Sequence, residues 1–195
     1  MKALICFCIL ALSVSSGSAQ LATSKLNLGF EEATCDGRPA VWVAGSSEQV
    51  YPFAFRALLD EQVFHSGRRS LHLQYIPGGG YGFGVATDSL PVAGLRGNTA
   101  RISGWIRTAK VRGFAGLWLR VTGEGKRPIA FNNMNDSAFG GTNDWTRFSF
   151  DLPVADSAES VYFGVLLAGT GDAWYDDLNI EVIQGISEAE QKRSH

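Results

Sequence analysis

The sequence predicts an all-β fold, a two-sheet antiparallel β-sandwich that forms one domain over residues 25–183. Many short segments alternate between apolar and polar residues, and 23 of the 195 residues are glycine. No segment carries an apolar stripe with helical spacing over three turns. Short strands joined by turn-rich connections are typical of sandwiches.

The predicted strands are separated by segments of turn residues, such as Pro77 to Gly80 and Gly169 to Asp172. From the N-terminus onward they lie near residues 25–32, 40–44, 49–55, 60–65, 70–76, 81–87, 100–108, 115–122, 128–132, 145–152, 159–167 and 173–183.

Two of these strands, 100–108 and 115–122, each contain a Trp-x-Arg step. Successive side chains of a strand point to opposite faces. The ring and the guanidinium therefore share one face, while the intervening residue, Ile106 or Leu119, points to the core. We expect the two strands to pair as neighbours in one sheet, which would cluster four side chains on one surface: Trp105, Arg107, Trp118 and Arg120.

This surface is the candidate ligand-binding site. Aromatic rings stack on the apolar faces of sugars, and arginine and asparagine bond to hydroxyl groups. Asn132 and Asn133 extend the candidate set, because they lie where the next predicted strand, 128–132, ends. The alternative is that both tryptophans fill the core and that both arginines pair with acidic neighbours.

The N-terminal segment has the order of a secretory signal peptide. Lys2 is followed by an apolar run over 3–14 and by small residues up to Ala19. We therefore predict a signal peptide over residues 1–19 and a secreted or periplasmic location. The apolar run is shorter than the ~20 residues that span a membrane. The polar end, residues 187–195, is predicted to be a flexible tail.

Charge and cysteine content limit the partners and the chemistry. A net charge of −2 gives no basic surface for nucleic acid. Removal of residues 1–19 leaves Cys35 as the one cysteine, so no intramolecular disulfide is expected.

Three motifs resemble the galactose-binding-like jelly rolls, a group that includes carbohydrate-binding modules of cellulases and xylanases. The motifs are Asn-Leu-Gly-Phe-Glu at 27–31, Gly-Arg-Arg-Ser-Leu at 67–71 and Trp-Tyr-Asp-Asp-Leu at 174–178. The resemblance implies a jelly-roll topology for the sandwich and a carbohydrate as ligand.

The interior resembles a narrower group, an accessory domain found beside secreted tail-type proteases, erythromycin-esterase-like proteins and some bacterial regulators. The resemblance rests on residues 103–108, 115–121, 133–134, 141–145 and 163–171. It indicates a bacterial protein and implies a fold without naming a ligand.

The jelly-roll resemblance also implies a structural calcium ion. Glu31 and Asp176 would supply carboxylates, and backbone carbonyls near His65 or Ser66 would complete the oxygen shell. The alternative is that both are ordinary strand-end carboxylates paired with arginine or lysine.

Motifs for catalysis are not found in the sequence. There is no Gly-x-Ser-x-Gly elbow, and Cys35 has no histidine placed to activate it. Asp176 and Asp177 are adjacent and so face opposite sides of a strand, which excludes them as an acid–base pair.

We therefore expect a secreted, non-catalytic binding module whose ligand is a glycan or polysaccharide. A protein-interaction or assembly module, working with a partner hydrolase or envelope protein, is the alternative. An enzyme with an unrecognised site is a third.

Overall fold

The structure is a computed structural model. Two predicted segments lie outside the described residues and stay predictions: the signal peptide over 1–19, of which Ala19 alone is described, and the tail over 187–195. Most of the predicted strand at 49–55 also lies outside them. The described ranges are 19–20, 26–46, 54–78, 80, 82–137 and 139–184.

The described residues form an antiparallel sheet of nine strands, which confirms the all-β prediction. Among them no helix is long and apolar enough to cross a membrane. The strands are β1 (Ala19–Gln20), β2 (Val43–Ser46), β3 (Phe55–Asp60), β4 (Ser70–Tyr75), β5 (Phe83–Leu90), β6 (Thr99–Thr122), β7 (Pro128–Asn132), β8 (Gly141–Pro153) and β9 (Ser160–Ile183).

The long strands β6 and β9 pair with each other along their whole length and belong to both sheets of the sandwich. Residues 99–109 of β6 and 172–183 of β9 form the centre of the first layer, whose order is β8-β6-β9-β4-β3. Residues 112–122 and 160–170 form the centre of the second layer, whose order is β7-β6-β9-β5-β2.

Both long strands change register where one layer passes into the other. The pairing shifts between Ala109 and Arg112, and Gly113 and Gly169 have φ angles of 127° and 87°. A Cβ atom on Gly113 would lie 2.1 Å from the Ala168 carbonyl oxygen. Glycine at these positions lets the two backbones approach closely while both strands bend.

The prediction that segments 100–108 and 115–122 are separate, neighbouring strands was wrong. Both are parts of β6, and each pairs with a different part of β9. They lie in different layers because β6 is continuous through the bend, so no turn brings them side by side.

The core lies between the two layers. Tyr175 and Ile106 from the first layer and Phe163 and Leu119 from the second are fully buried. Burial of Ile106 and Leu119 confirms the predicted inward direction of both. Each Trp-x-Arg step is therefore directed outward, where it can contribute to a surface.

Candidate functional site

A groove of about 520 Å³ lies on the outer face of the second layer. Four neighbouring strands and the connection after β7 supply its walls, because alternate residues of these strands point away from the core. Its lining is mainly apolar and aromatic, with a few polar groups: Phe83, Val85, Thr87, Phe114, Trp118, Arg120, Phe131, Asn133, Asn135, Leu166 and Ala168.

Trp118 forms part of the groove lining although only 7% of the residue is exposed. It lies in register with Gly164 of β9, and a Cβ on Gly164 would be 2.8 Å from the indole Nε1. The glycine therefore makes the space into which the indole packs. Nε1 is buried and has no hydrogen-bond partner in the described part of the chain.

Arg120 is held between two aromatic rings. Its Cζ atom is 5.9 Å from the ring centroid of Trp118 and 5.2 Å from that of Tyr162. Both distances are within the range of cation–π attraction. Its Nε, like the indole nitrogen, is buried and unpartnered among the described residues. The rings therefore fix the position of the guanidinium within the groove.

Two phenylalanines at the rim of the groove are open to solvent. Phe131 is 54% exposed and lies in register with Arg120, and Phe83 of β5 is 43% exposed. Polar groups stand beside these rings on Thr87, Asn133 and Asn135. An apolar surface with a few convergent polar groups is the usual composition of a small-molecule or sugar site.

Three of the six predicted ligand residues, Trp118, Arg120 and Asn133, lie together in this groove. Asn132 does not line it, and its Oδ1 instead accepts a hydrogen bond of 2.9 Å from the Met134 amide. This bond fixes the turn that presents Asn133 to the groove.

The other two predicted ligand residues, Trp105 and Arg107, lie in the first layer. The Trp105 ring stacks on His65, with centroids 4.0 Å apart, and the Arg107 Nη1 is 3.7 Å from the Asp144 Oδ1. The structure therefore does not bring all the predicted site residues together. The bend in β6 carries the two Trp-x-Arg steps to separate surfaces.

A second stacked pair, which sequence reasoning missed, lies on the first layer. The rings of His72 and Trp174 have centroids 4.4 Å apart and an interplanar angle of 8°. Trp174 Nε1 donates to Asp60 Oδ2 at 2.8 Å, and His72 Nε2 lies 2.9 Å from Asp172 Oδ1. These partners are far apart in the sequence, so no local motif indicates them.

Two groove residues could have been found from alternation. Tyr162 precedes the buried Phe163 and so faces the same way as Gly164, beside Arg120. Phe131 follows the partly buried Ala130 in the next strand and faces outward. Sequence reasoning missed both because it considered only the two Trp-x-Arg steps and the two asparagines after them.

The carboxylates of Glu31 and Asp176 are both held by the segment that connects β3 and β4. Glu31 Oε1 accepts hydrogen bonds from the Arg68 and Arg69 amides at 2.8 and 3.2 Å. Asp176 Oδ2 accepts bonds of 2.8 and 3.0 Å from the amides of two residues, His65 and Ser66.

This arrangement bears on the predicted calcium ion. N–H groups of His65 and Ser66 face Asp176, whereas calcium binds oxygen ligands. Within the described ranges no three His, Cys, Asp or Glu side chains are grouped to hold a metal. The hydrogen bonds stabilise both carboxylates without an ion, and calcium binding stays a prediction.

Asp176 is fully buried, and burial raises the pKa of its carboxyl group. The hydrogen bonds from the Ser66 and His65 amides act in the opposite direction. The carboxylate therefore anchors the 61–69 segment to β9 at a desolvation cost.

Another cavity, of about 570 Å³, lies between β2 and β3 and is lined by Phe55, Arg56 and Val85 among others. The residues that join these two strands, 47–53, are outside the described ranges. The groove around Trp118 is the stronger candidate, because three of the six predicted ligand residues line it.

The fold is similar to that of carbohydrate-binding modules with a galactose-binding-like jelly roll. The CBM22-1 xylan-binding domain of Paenibacillus barcinonensis Xyn10C matches with a TM-score of 0.53 and 12% identity over 81% of this chain and 93% of that domain. A family 22 carbohydrate-binding module of Clostridium thermocellum Xyn10B gives a TM-score of 0.53 and 16% identity, covering 81% and 96%.

A family 16 carbohydrate-binding module also matches, with a TM-score of 0.53 and 12% identity over 79% of this chain and 99% of the module. These identities are low, so the likeness confirms the predicted jelly-roll fold alone.

In sequence, the chain is similar to the uncharacterized HTH-type transcriptional regulator YbfP of Bacillus subtilis strain 168. The two are 29% identical over 162 residues, which is 83% of this chain and 52% of YbfP. The chain thus spans about half the length of this curated relative. No family model matches the chain.

Proposed function

We propose that the chain is a secreted, non-catalytic module that binds a polysaccharide in the groove of the second layer. The observation that carries this proposal is the outward face around Trp118. An indole, an arginine and two exposed phenylalanine rings border one groove there, with amide side chains beside them. Rings supply stacking surfaces for sugars, and amides bond to hydroxyls.

The fold likeness gives the proposal its second support. The structural match to this chain extends over nearly the whole length of the two family 22 modules. One of them is described as a xylan-binding domain. Transfer of a carbohydrate ligand to this chain is part of the proposal, since a fold alone does not fix a function.

Binding is tested by titrating the purified protein with xylan, galactan and mixed-linkage glucan while tryptophan fluorescence is followed. Phe131→Ala removes an exposed groove ring, and a lost aromatic stacking contact of about 1 kcal/mol weakens binding several-fold. Because Phe131 is 54% exposed, we expect little change in melting temperature.

Phe64→Ala is the matched control, since Phe64 is 39% exposed and does not line the groove. We expect it to bind like the wild type. Equal weakening in both variants, or no binding of any polysaccharide by the wild type, would contradict the proposed site.

Secretion is supported by the sequence of residues 1–19 and is tested separately. We expect the protein recovered outside the cytoplasm to begin at Gln20 when its N-terminus is sequenced. Recovery of the intact N-terminus from the cytoplasm would contradict it.

A second candidate is docking of a partner hydrolase or envelope protein on the same face. The exposure of Phe83 and Phe131 favours it, because open aromatic patches mark protein interfaces as well as ligand sites. It would be supported if no polysaccharide binds and if Phe131→Ala dissociates a purified complex with such a partner.

A further inference from the structure

The chemistry of Arg120 limits which polysaccharide fits the groove, and this inference rests on the proposed function. In the described part of the chain, four arginines are partly buried: Arg69, Arg101, Arg107 and Arg120. The first three each have a carboxylate within 4.0 Å, namely that of Glu61, Asp151 or Asp144.

Arg120 differs from the other three because no described carboxylate pairs with it. None of the residues that line the groove is Asp or Glu. Its Nε is buried without a hydrogen-bond partner among the described residues. A partly desolvated charge without a counter-ion is costly, and a ligand that supplies a negative charge removes that cost.

The guanidinium is also oriented before any ligand arrives. The rings of Trp118 and Tyr162 hold it at 5.9 and 5.2 Å, so little side-chain entropy remains to be lost on binding. A planar guanidinium donates two parallel hydrogen bonds to a carboxylate. Asn133, Thr87 and the exposed ring of Phe131 are within the same groove for the rest of the sugar.

We infer that the groove binds an acidic polysaccharide, with a uronic acid carboxylate paired to Arg120. The net charge of the chain is −2, so overall attraction to polyanions would not produce such binding. Recognition would instead come from one positioned cation in an acid-free groove.

The test compares polygalacturonate, alginate and glucuronoxylan with the same polymers after chemical reduction of their carboxyl groups to alcohols. Reduction removes the charge and keeps the sugar chain. We expect the wild-type protein to bind at least one native polymer about tenfold more tightly than its reduced form, as a charge-assisted bidentate contact would give.

Arg120→Gln should bind the native and reduced forms of that polymer equally, at the affinity of the wild type for the reduced form. Arg120→Lys should keep part of the preference, because it retains the charge but loses the planar fork. Arg101→Gln is the matched control, a partly buried arginine of β6 outside the groove, and should keep the full preference. Melting temperatures establish that each variant is folded.

The outcomes separate this inference from the proposed function. Equal affinity of the wild type for native and reduced polymers overturns the acidic ligand and leaves polysaccharide binding intact. Equally tight binding of dextran sulfate shows that any polyanion suffices and overturns the uronic acid. Failure of every native and reduced polymer, including xylan and galactan, overturns the proposed function itself.

Discussion

At position 164 a glycine faces outward between two strands of the second layer, and the indole of Trp118 fills the space beside it. The absence of one methyl group therefore decides where a groove residue packs. Because the indole lies in the space beside Gly164, Trp118 is only 7% exposed and still borders the groove.

Gly164→Ala should destabilise the fold by about 3 kcal/mol, the upper end of the cost of overpacking. The added Cβ would lie 2.1 Å from the Ala86 carbonyl oxygen, and that backbone atom belongs to a paired strand and cannot move away freely. Urea denaturation measures the change. Gly45→Ala is the control, because its Cβ would meet only Val85 Cγ2, at 3.9 Å, and a near-neutral effect is expected.

A residue-scale pH effect is expected at Asp60. Burial raises the pKa of this carboxyl group, but the hydrogen bond from Trp174 Nε1 and those from two backbone amides outweigh it, so the pKa lies below its ordinary value. A depressed pKa in the folded state stabilises the fold above the unfolded-state pKa, and this contribution is lost as pH falls through the folded-state value.

Asp60→Asn should therefore lower the free energy of unfolding at pH 7, and the difference from the wild type should shrink below pH 4. Urea denaturation at both pH values measures it. A difference that stays constant across this range would show that the carboxylate charge has no part in holding Trp174.

At the scale of elements, the segment between β3 and β4 is held to the rest of the sandwich by two carboxylates. Asp176 of β9 accepts the amides of His65 and Ser66, and Glu31 accepts those of Arg68 and Arg69. These hydrogen bonds attach the segment to Asp176 and Glu31, as a bridging metal ion would.

Asp176→Ala should destabilise the protein by roughly 2–4 kcal/mol, because two partly buried amides lose their acceptor. Asp151→Ala is the control: its carboxylate is 42% exposed and pairs with Arg101 on the surface, so we expect a loss below about 1 kcal/mol. Chemical denaturation measures both. Equal losses would contradict an anchoring role for Asp176.

The calcium prediction is tested on the same element. If an ion binds Glu31 and Asp176 as predicted, a chelator should lower the melting temperature, because a ligand that binds only the folded state stabilises it by mass action. An equal melting temperature in calcium and in chelator would contradict the calcium prediction.

Several features of these elements could be predicted from the sequence. Alternation placed Ile106 and Leu119 in the core and the neighbouring rings outside, because strand geometry fixes side-chain direction locally. The continuity of β6 could not be predicted. Residues 110–113 break the alternation and end in glycine, as a turn does, and only the paired bend of β9 shows that the strand continues.

At the scale of the whole molecule, the composition of the site depends on which layer contains each half of β6. Two identical Trp-x-Arg steps were predicted to form one surface, and the bend between Ala109 and Arg112 separates them. The first step lies beside His65, and the second lies in the groove. Such separation is a property of tertiary topology, so a single strand pattern contains no sign of it.

Because β6 and β9 run through both layers, we expect the layers to unfold together. Urea unfolding followed by tryptophan fluorescence and by far-UV circular dichroism should give coincident transitions. Two separate midpoints would show that one layer is stable without the other and would contradict this expectation.

The shared pair of strands also sets the order in which the chain can assemble. Thr122 pairs with Ser160, but Thr99 pairs with Ile183, so the pairing closes progressively longer loops of chain. Proteins dominated by such distant pairings fold slowly, in about milliseconds to seconds. Trp118 meets Gly164 only when β6 and β9 have paired in the second layer, so its fluorescence reports the formation of that layer.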